Sequence, residues 1–359
     1  MPLGPDHASE RGGAWWRASP LLRPLSQAYV AGLAIDRRRR LRAAPPPGHP
    51  RVVSVGNLEV GGNGKTPLAM YLLERASVEG RAVACVSRGY RSRSARGPLV
   101  SWVPALGDEG GARPGLRMVM RDHPRIEDEI GDEGAEMALR VPSASLYFSR
   151  DKARAVRAAA DGGAALVVLD DGFQSWAVPR HVDVVMLDAL RPLANGRVLP
   201  AGPLREPPSA LARAHVVVFN GARDSADVMR ARETVQRWLR PGARVAGLVR
   251  RTELVVPGGA GAGAPSGPVL AVSGVARPDG FARSLAGAGV APAAHEVFPD
   301  HHRYGRGDAE RIAARARELG AAAVVTTGKD WVKLRRFDLG APVWVARLET
   351  TLIGDDIPW

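Results

Sequence analysis

The chain has 359 residues, 45% of them hydrophobic, and carries 50 Lys+Arg against 37 Asp+Glu, a net charge of +13. That length and apolar content suffice for two compact domains with cores of their own and exclude a disordered or fibrous chain. A single cysteine, Cys85, leaves no intrachain disulfide and no cysteine-based metal cluster, while the positive charge points to anionic partners such as nucleotides, phosphorylated lipids, acidic membrane or nucleic acid.

Among the basic residues only Lys65, Lys152, Lys329 and Lys333 are lysine. A general drift toward arginine accounts for much of the basic character. The four lysines therefore mark places where a compact ammonium on a flexible stem is not interchangeable with a planar guanidinium.

In chain order, residues 1–14 read as a disordered leader. From Trp15 to Arg42, Leu21, Leu22, Leu25, Ala28, Tyr29, Gly32, Leu33 and Ile35 recur at helical spacing, with Trp15 and Trp16 before them and Arg37–Arg40 after. Residues 15–42 are expected to form an amphipathic, membrane-interfacial helix; the alternative is a helix packed on the next domain. The apolar run Ala28–Ile35 is far short of the about 20 residues a spanning helix needs. Arginines that follow that run, instead of preceding it, argue against a signal peptide. The proline-rich stretch Ala44–Pro50 ends the segment.

An α/β domain is expected over 45–224. Strand Arg51–Val55, a glycine-rich loop, a helix from Thr66 to about Ala76 and strand Ala82–Ser87 imply parallel pairing in a doubly wound sheet. Pro104–Arg125 reads as a surface excursion. Helices follow from Asp132 to about Leu139 and over Lys152–Ala160, then buried strands at Ala165–Leu169, Val182–Leu187 and His215–Phe219. A smaller α/β domain is expected over 225–345, with strands Val269–Val272 and Ala322–Thr326, a helix Asp308–Leu319 and a flexible loop Gly258–Gly267. Residues 346–359 are expected to form a C-terminal tail.

The strongest chemical signal runs from Val55 to Thr66. Glu59, Val60, Gly61, Gly62, Asn63, Gly64, Lys65 and Thr66 lie between a strand and a helix. Backbone N–H groups freed by the glycines can close around a phosphate, the helix N-terminus adds positive potential, Lys65 can reach terminal phosphates and Thr66 can hold Mg²⁺. Glu59 departs from the usual loop, where glycine is expected, but Gly-Gly-x-Gly-Lys-Thr is complete. The partner signal is Ala165–Gly172, a buried strand ending in Asp170-Asp171, which sits where such sheets bind ligands and can organise Mg²⁺. Successive strand side chains point to opposite faces, so one of the two serves the metal.

These segments resemble the tetraacyldisaccharide 4'-kinase family. The resemblance rests on Val53–Asn57 through Pro67, Ser87–Tyr90, Gly131–Glu133, Asp170–Gln174, Leu199–Pro207, Phe298–Tyr304 and Thr326–Asp330, with Leu22–Ser26 ahead of them. It implies transfer of the γ-phosphate of ATP, with Mg²⁺, to the 4'-hydroxyl of tetraacyldisaccharide 1-phosphate. The product would be lipid IVA, made at the cytoplasmic face of a bacterial inner membrane. It also implies that Asp132 and His301 act together on the acceptor proton, that Arg205 serves catalysis and that Glu206 serves the metal.

The chain departs from the family in places. A second Gly-Asp-Glu at Gly107–Glu109 is followed by glycines and not by a helix, which favours Asp132. Ser175 stands where the family has histidine, Lys152 or Arg150 replaces a family arginine, and the final helix after Leu352 is missing or very short. The reading is a P-loop kinase with an N-terminal amphipathic helix, acting on a glycolipid, with no nucleic acid and no obligatory protein partner. The rival is a P-loop ATPase switch or chaperone without a lipid acceptor.

Overall fold

The computed structural model describes residues 22–41, 49–61, 64–90, 92–108, 113–259 and 263–359. The 1–14 leader, Trp15, Trp16, Leu21, Arg42, residues 44–48 of the proline-rich stretch, Gly62, Asn63, Glu109 and residues 260–262 lie outside these.

In chain order the elements are α1 (Leu22–Arg40), β1 (Arg51–Asn57), α2 (Lys65–Val78), β2 (Val83–Ser87), β3 (Val100–Val103), β4 (Leu116–Met118), α3 (Ile126–Ile130), α4 (Asp132–Arg140), β5 (Ser145–Phe148) and α5 (Lys152–Asp161). They continue with β6 (Leu166–Asp170), β7 (Val182–Asp188), β8 (Val216–Asn220), α6 (Ser225–Val235), β9 (Arg244–Val255), β10 (Val269–Ser273), α7 (Pro278–Gly287) and β11 (Ala294–Val297). The last are α8 (Arg306–Glu318), β12 (Ala323–Thr327), α9 (Gly328–Leu334) and β13 (Val343–Gly354). Apart from the N-terminal helix, of which only Leu22–Arg40 is described, the strands and helices expected from apolar runs and helical spacing are present within a few residues. The excursion expected at 104–125 carries the three-residue strand β4.

The chain divides into two compact units. The first comprises the described part of Met1–Lys65, with Asp171–Val249 and Leu352–Trp359. Its strands β1, β7, β8 and β9 pair in parallel, in register Val53↔Val182, Val184↔Val216 and Val216↔Arg244. After exposed Arg51, β1 is buried throughout, as expected of a parallel strand covered on both faces. Leu58, Phe173, Leu187, Leu204, Phe219 and Val228 pack into one core cluster. The helix α1 belongs to this unit and lies against the 198–205 loop: Ser26 Oγ donates to the Val198 carbonyl at 3.1 Å, and Tyr29 Oη to the Arg205 carbonyl at 3.0 Å. Outside these contacts Leu25 is 57% and Ile35 52% exposed.

The second unit comprises Thr66–Asp170 and Arg250–Thr351. Strands β6, β2 and β5 are parallel; β3 joins β5 antiparallel and β4 follows β3 in parallel. Strands β11, β10, β12 and β13 form a second parallel set. Alternation along β10 divides its core: Leu270 and Val272 pack with Ile312 of α8 and Leu334 of α9, while Val269 and Ala271 pack with Phe281 and Leu285 of α7. Helices thus cover both faces, the doubly wound arrangement that the sequence implies. Arg121 ties the excursion down by donating to the carbonyls of Pro104, Ala138 and Ala144, and burial pulls its pKa down to about 10.

The end of β1 depends on a residue without a side chain. A Cβ on Gly56 would lie 2.5 Å from Phe173 Cβ and 2.7 Å from the Phe173 nitrogen. Gly56→Ala should therefore lower the urea midpoint, at unchanged slope, by the equivalent of about 1–3 kcal/mol, the usual cost of overpacking. An unchanged midpoint would show that this close approach is not required.

Candidate functional site

The loop after β1 carries the phosphate-binding pattern. Lys65 Nζ donates to the Gly61 carbonyl at 2.9 Å and stands 3.5 Å from Asp171 Oδ1, with its side chain 11% exposed. The loop is clamped from one side, because Val60 N donates to the Pro203 carbonyl at 2.8 Å and Arg205 N to the Leu58 carbonyl at 2.5 Å. Gly64 has φ +78°, and a Cβ there would lie 3.0 Å from Asn220 Oδ1, so the loop needs glycine on both counts. The clamp also delivers Arg205, whose guanidinium holds both Asp171 oxygens at 3.0 and 3.1 Å.

The residues next to that pair are themselves fixed. Gln174 Nε2 donates to the Asn57 carbonyl at 3.1 Å and to Glu206 Oε1 at 2.9 Å. Glu206 is buried and faces Arg213 at 3.0 Å; the Arg213 guanidinium lies over the rings of Phe173 and Trp176. Glu59 is in an isolated bridge to Leu204. Ser175 donates its N–H to the Gly172 carbonyl at 2.8 Å and closes the turn after the aspartates.

In the second unit, Asp170 ends β6 and is buried. Ser87 Oγ donates to Asp170 Oδ2 at 2.9 Å and Lys152 Nζ to the Asp170 carbonyl at 2.6 Å. Arg150, the other candidate for the family arginine, is exposed. Thr66 at the start of α2 donates its hydroxyl to Glu133 Oε2 at 3.3 Å.

Asp132 and Glu133 open α4, where the unpaired N–H groups of a helix start favour negative charge. Gly131 before them has φ +86°, and a Cβ there would lie 2.7 Å from the Tyr90 carbonyl oxygen. His301 Nδ1 is 2.9 Å from Asp132 Oδ2 across 169 residues of sequence. Lys333 Nζ reaches the same oxygen at 2.8 Å from a side chain only 3% exposed. Burial pushes the Asp132 pKa up, but the hydrogen bonds and charges of Lys333 and His301 outweigh it and hold it below the usual carboxylate range. Lys329, one turn earlier on α9, pairs with Glu133 at 3.1 Å. Asp108 of the competing Gly-Asp-Glu lies in a turn and pairs with Arg113 at 3.2 Å.

Three described non-glycine residues have positive φ: Asp171 at 47°, Ala194 at 48° and His301 at 60°. Two of them are residues that the sequence nominates for chemistry, which is where such strain tends to be retained. The structure thus brings Lys65, Asp171 and Arg205 together, with Glu206 one residue from Arg205. It separately joins Asp132 to His301 and Thr66 to Glu133. Sequence reasoning missed Gln174, Arg213, Lys329 and Lys333 as site residues. For the two lysines the signal was the scarcity of that residue type.

A model of the tetraacyldisaccharide-1-P 4'-kinase family matches residues 18–357. The tetraacyldisaccharide 4'-kinase of Anaeromyxobacter dehalogenans strain 2CP-C is 38% identical over 346 residues, covering 89% of this chain and 85% of the relative. That of Parvibaculum lavamentivorans is 35% identical over 331 residues, covering 91% and 85%. Among solved structures, LpxK from Aquifex aeolicus, described as an "apo" form in complex with ATP, aligns with TM-score 0.67 at 24% identity, covering 93% of this chain and 94% of that one. At that identity the likeness shows the fold. With the family model covering nearly the whole chain and relatives at this level, the chain belongs to the tetraacyldisaccharide-1-P 4'-kinase family.

Proposed function

We infer that this chain transfers the γ-phosphate of ATP to the 4'-hydroxyl of tetraacyldisaccharide 1-phosphate, forming lipid IVA in lipid A synthesis. The observation that carries the reading is the 2.9 Å contact of His301 with Asp132, a carboxylate–imidazole pair of the kind that can take a proton from an alcohol. As the 4'-oxygen bonds to the γ-phosphorus, the bond to the β,γ-bridging oxygen breaks and ADP leaves. The hydroxyl proton passes to Asp132, and His301 stabilises the carboxyl that results. Lys65 and Arg205 supply fixed positive charge for the phosphates. A P-loop ATPase without a lipid acceptor is not favoured, because the family is one of kinases.

Mg²⁺ suits the donors available. The Thr66 hydroxyl and the Asp170 carboxylate are hard oxygen ligands, and Mg²⁺ commonly takes one or two protein oxygens while keeping waters and substrate phosphates. No group of three or more His, Cys, Asp or Glu placed for a metal occurs among the described residues. Asp171 and Glu206, the other candidates, already face Arg205 and Arg213. When bound, the ion would offset phosphate charge.

We place the enzyme at the cytoplasmic face of the inner membrane through α1. The helix exposes Leu25 and Ile35, and Arg37–Arg40 follow, a combination suited to an anionic lipid surface. No described helix is long and apolar enough to cross a membrane. Replacing Leu25 and Ile35 by Asp should cut co-sedimentation with anionic liposomes roughly tenfold or more, with the melting temperature unchanged because neither side chain is buried. Equal sedimentation would leave α1 as a packing helix only.

Assay with MgATP and tetraacyldisaccharide 1-phosphate in detergent tests the chemistry. Lys65→Ala should lower kcat about 100- to 1000-fold with little change in melting, and near-normal turnover would remove the P-loop assignment. Asp132→Asn and His301→Ala should each lower kcat about 100-fold or more with little effect on the KM for ATP. Their combination should lose less than the product of the two effects, because the pair acts as a unit. Asp108→Ala should stay near normal; the reverse pattern would move the base to Asp108.

A further inference from the structure

The contact of Lys333 with Asp132 has no counterpart in the reading above. Lysine is one of the least buried residue types, yet Lys333 is 3% exposed, and its ammonium lies 2.8 Å from Asp132 Oδ2. His301 Nδ1 contacts that same oxygen. Both contacts therefore fall on one side of the carboxylate and leave Oδ1 for another partner.

Lys333 is also one of only four lysines in a chain with 50 basic residues. A guanidinium at this site would need room for a planar fork, whereas an ammonium delivers a point charge through a narrow channel. The helix that carries it is fixed at its start. Thr327 Oγ1 accepts from Asp330 N at 3.1 Å, and Asp330, fully buried, accepts from Gly274 N at 2.9 Å. The Gly274 carbonyl in turn accepts from His301 N at 3.2 Å. One short helix thus sets the position of Lys333 and, through Gly274, of His301.

We propose that Lys333 is a positioning residue for phosphoryl transfer: its buried ammonium holds Asp132 by Oδ2 and turns Oδ1 toward the acceptor hydroxyl. The proposal rests on the reading of Asp132 as the base. The charged groups around Asp132 are Lys333 and Lys329 from α9, His301 from the loop before α8, Glu127 from α3 and Glu133 beside it on α4. Burial disfavours ionised Asp132 and Lys333 favours it. Removing the ammonium therefore raises the carboxyl pKa, and the acidic limb of the activity profile moves to higher pH.

The test compares Lys333→Met, Lys333→Arg, Asp132→Asn and the double variant Asp132→Asn/Lys333→Met, assayed with MgATP and tetraacyldisaccharide 1-phosphate across pH, with melting recorded for each. Lys333→Met should lower kcat about tenfold, leave the KM for ATP within about twofold and shift the acidic limb of kcat upward by roughly one unit or more. Lys333→Arg, which keeps the charge, should hold the limb near its original position. The double variant should be no less active than Asp132→Asn alone, and should melt higher because it leaves no buried ammonium unpaired. If Lys333→Met is too unstable to assay, the double variant and Lys333→Arg carry the comparison.

An unmoved acidic limb with a lowered melting point would reduce Lys333 to a structural role and overturn the proposal. So would a further loss of activity in the double variant. A near-normal Asp132→Asn would instead overturn the base assignment, and the proposal with it.

Discussion

A carboxylate that must accept a proton, or pair with charge at a phosphate site, has to stay ionised where burial works against it. At Asp132 the solution is Lys333, helped by His301, and the other lysines also meet acidic residues. Lys65 faces Asp171, Lys329 faces Glu133, Lys333 faces Asp132, and Lys152 donates to the backbone carbonyl of Asp170. No lysine is spent on the general surface, where arginine supplies nearly all of the positive charge. The ammonium suits this use because it is a compact point charge that a flexible stem can place on one oxygen. Arginine's planar fork is used at Glu206, whose two oxygens meet Nη1 and Nη2 of Arg213 while its guanidinium lies over two aromatic rings; at Asp171 a single nitrogen, Nη1 of Arg205, meets both oxygens.

How far the fold could be read from the sequence follows from the same physics. Strands buried on both faces stand out as apolar runs, Val184–Leu187 and Leu166–Leu169, in this sequence. β3 and β5 have only four residues each and include Ser101 or Ser145, which hides them in that pattern. β9 and β13 have twelve residues each, but their burial is uneven and charged residues interrupt them, so no period stands out. α7 starts with Pro278 and contains Gly280 and Gly287, which lowers its helical signal although Phe281 and Leu285 pack inward.

The site was legible in a different way. Lys65, Thr66, Asp170 and Asp171 stand in contiguous motifs whose chemistry can be argued locally, whereas Asp132 and His301 were placed by resemblance alone, because nothing local in sequence joins residues 169 positions apart. The partners that tune them were harder still. Lys333 and Asp330 sit on a seven-residue helix whose sequence, Gly-Lys-Asp-Trp-Val-Lys-Leu, gives no sign of which charges face inward. Gln174 and Arg213 lacked any chemical pattern of their own, and only the fold shows that they hold Glu206.

The N-terminal helix shows why two readings of one amphipathic segment need not compete. In α1, Ser26 and Tyr29 are bonded to the 198–205 loop while Leu25 and Ile35 remain exposed. Burial, then the charge of Glu206, pushes the Tyr29 hydroxyl pKa up, so the phenol stays protonated and continues to donate to the Arg205 carbonyl. Arg205 is the residue that grips Asp171, and Asp171 stands beside Lys65. Three contacts in sequence, Tyr29 to Arg205, Arg205 to Asp171 and Asp171 to Lys65, therefore link the helix to the glycine-rich loop.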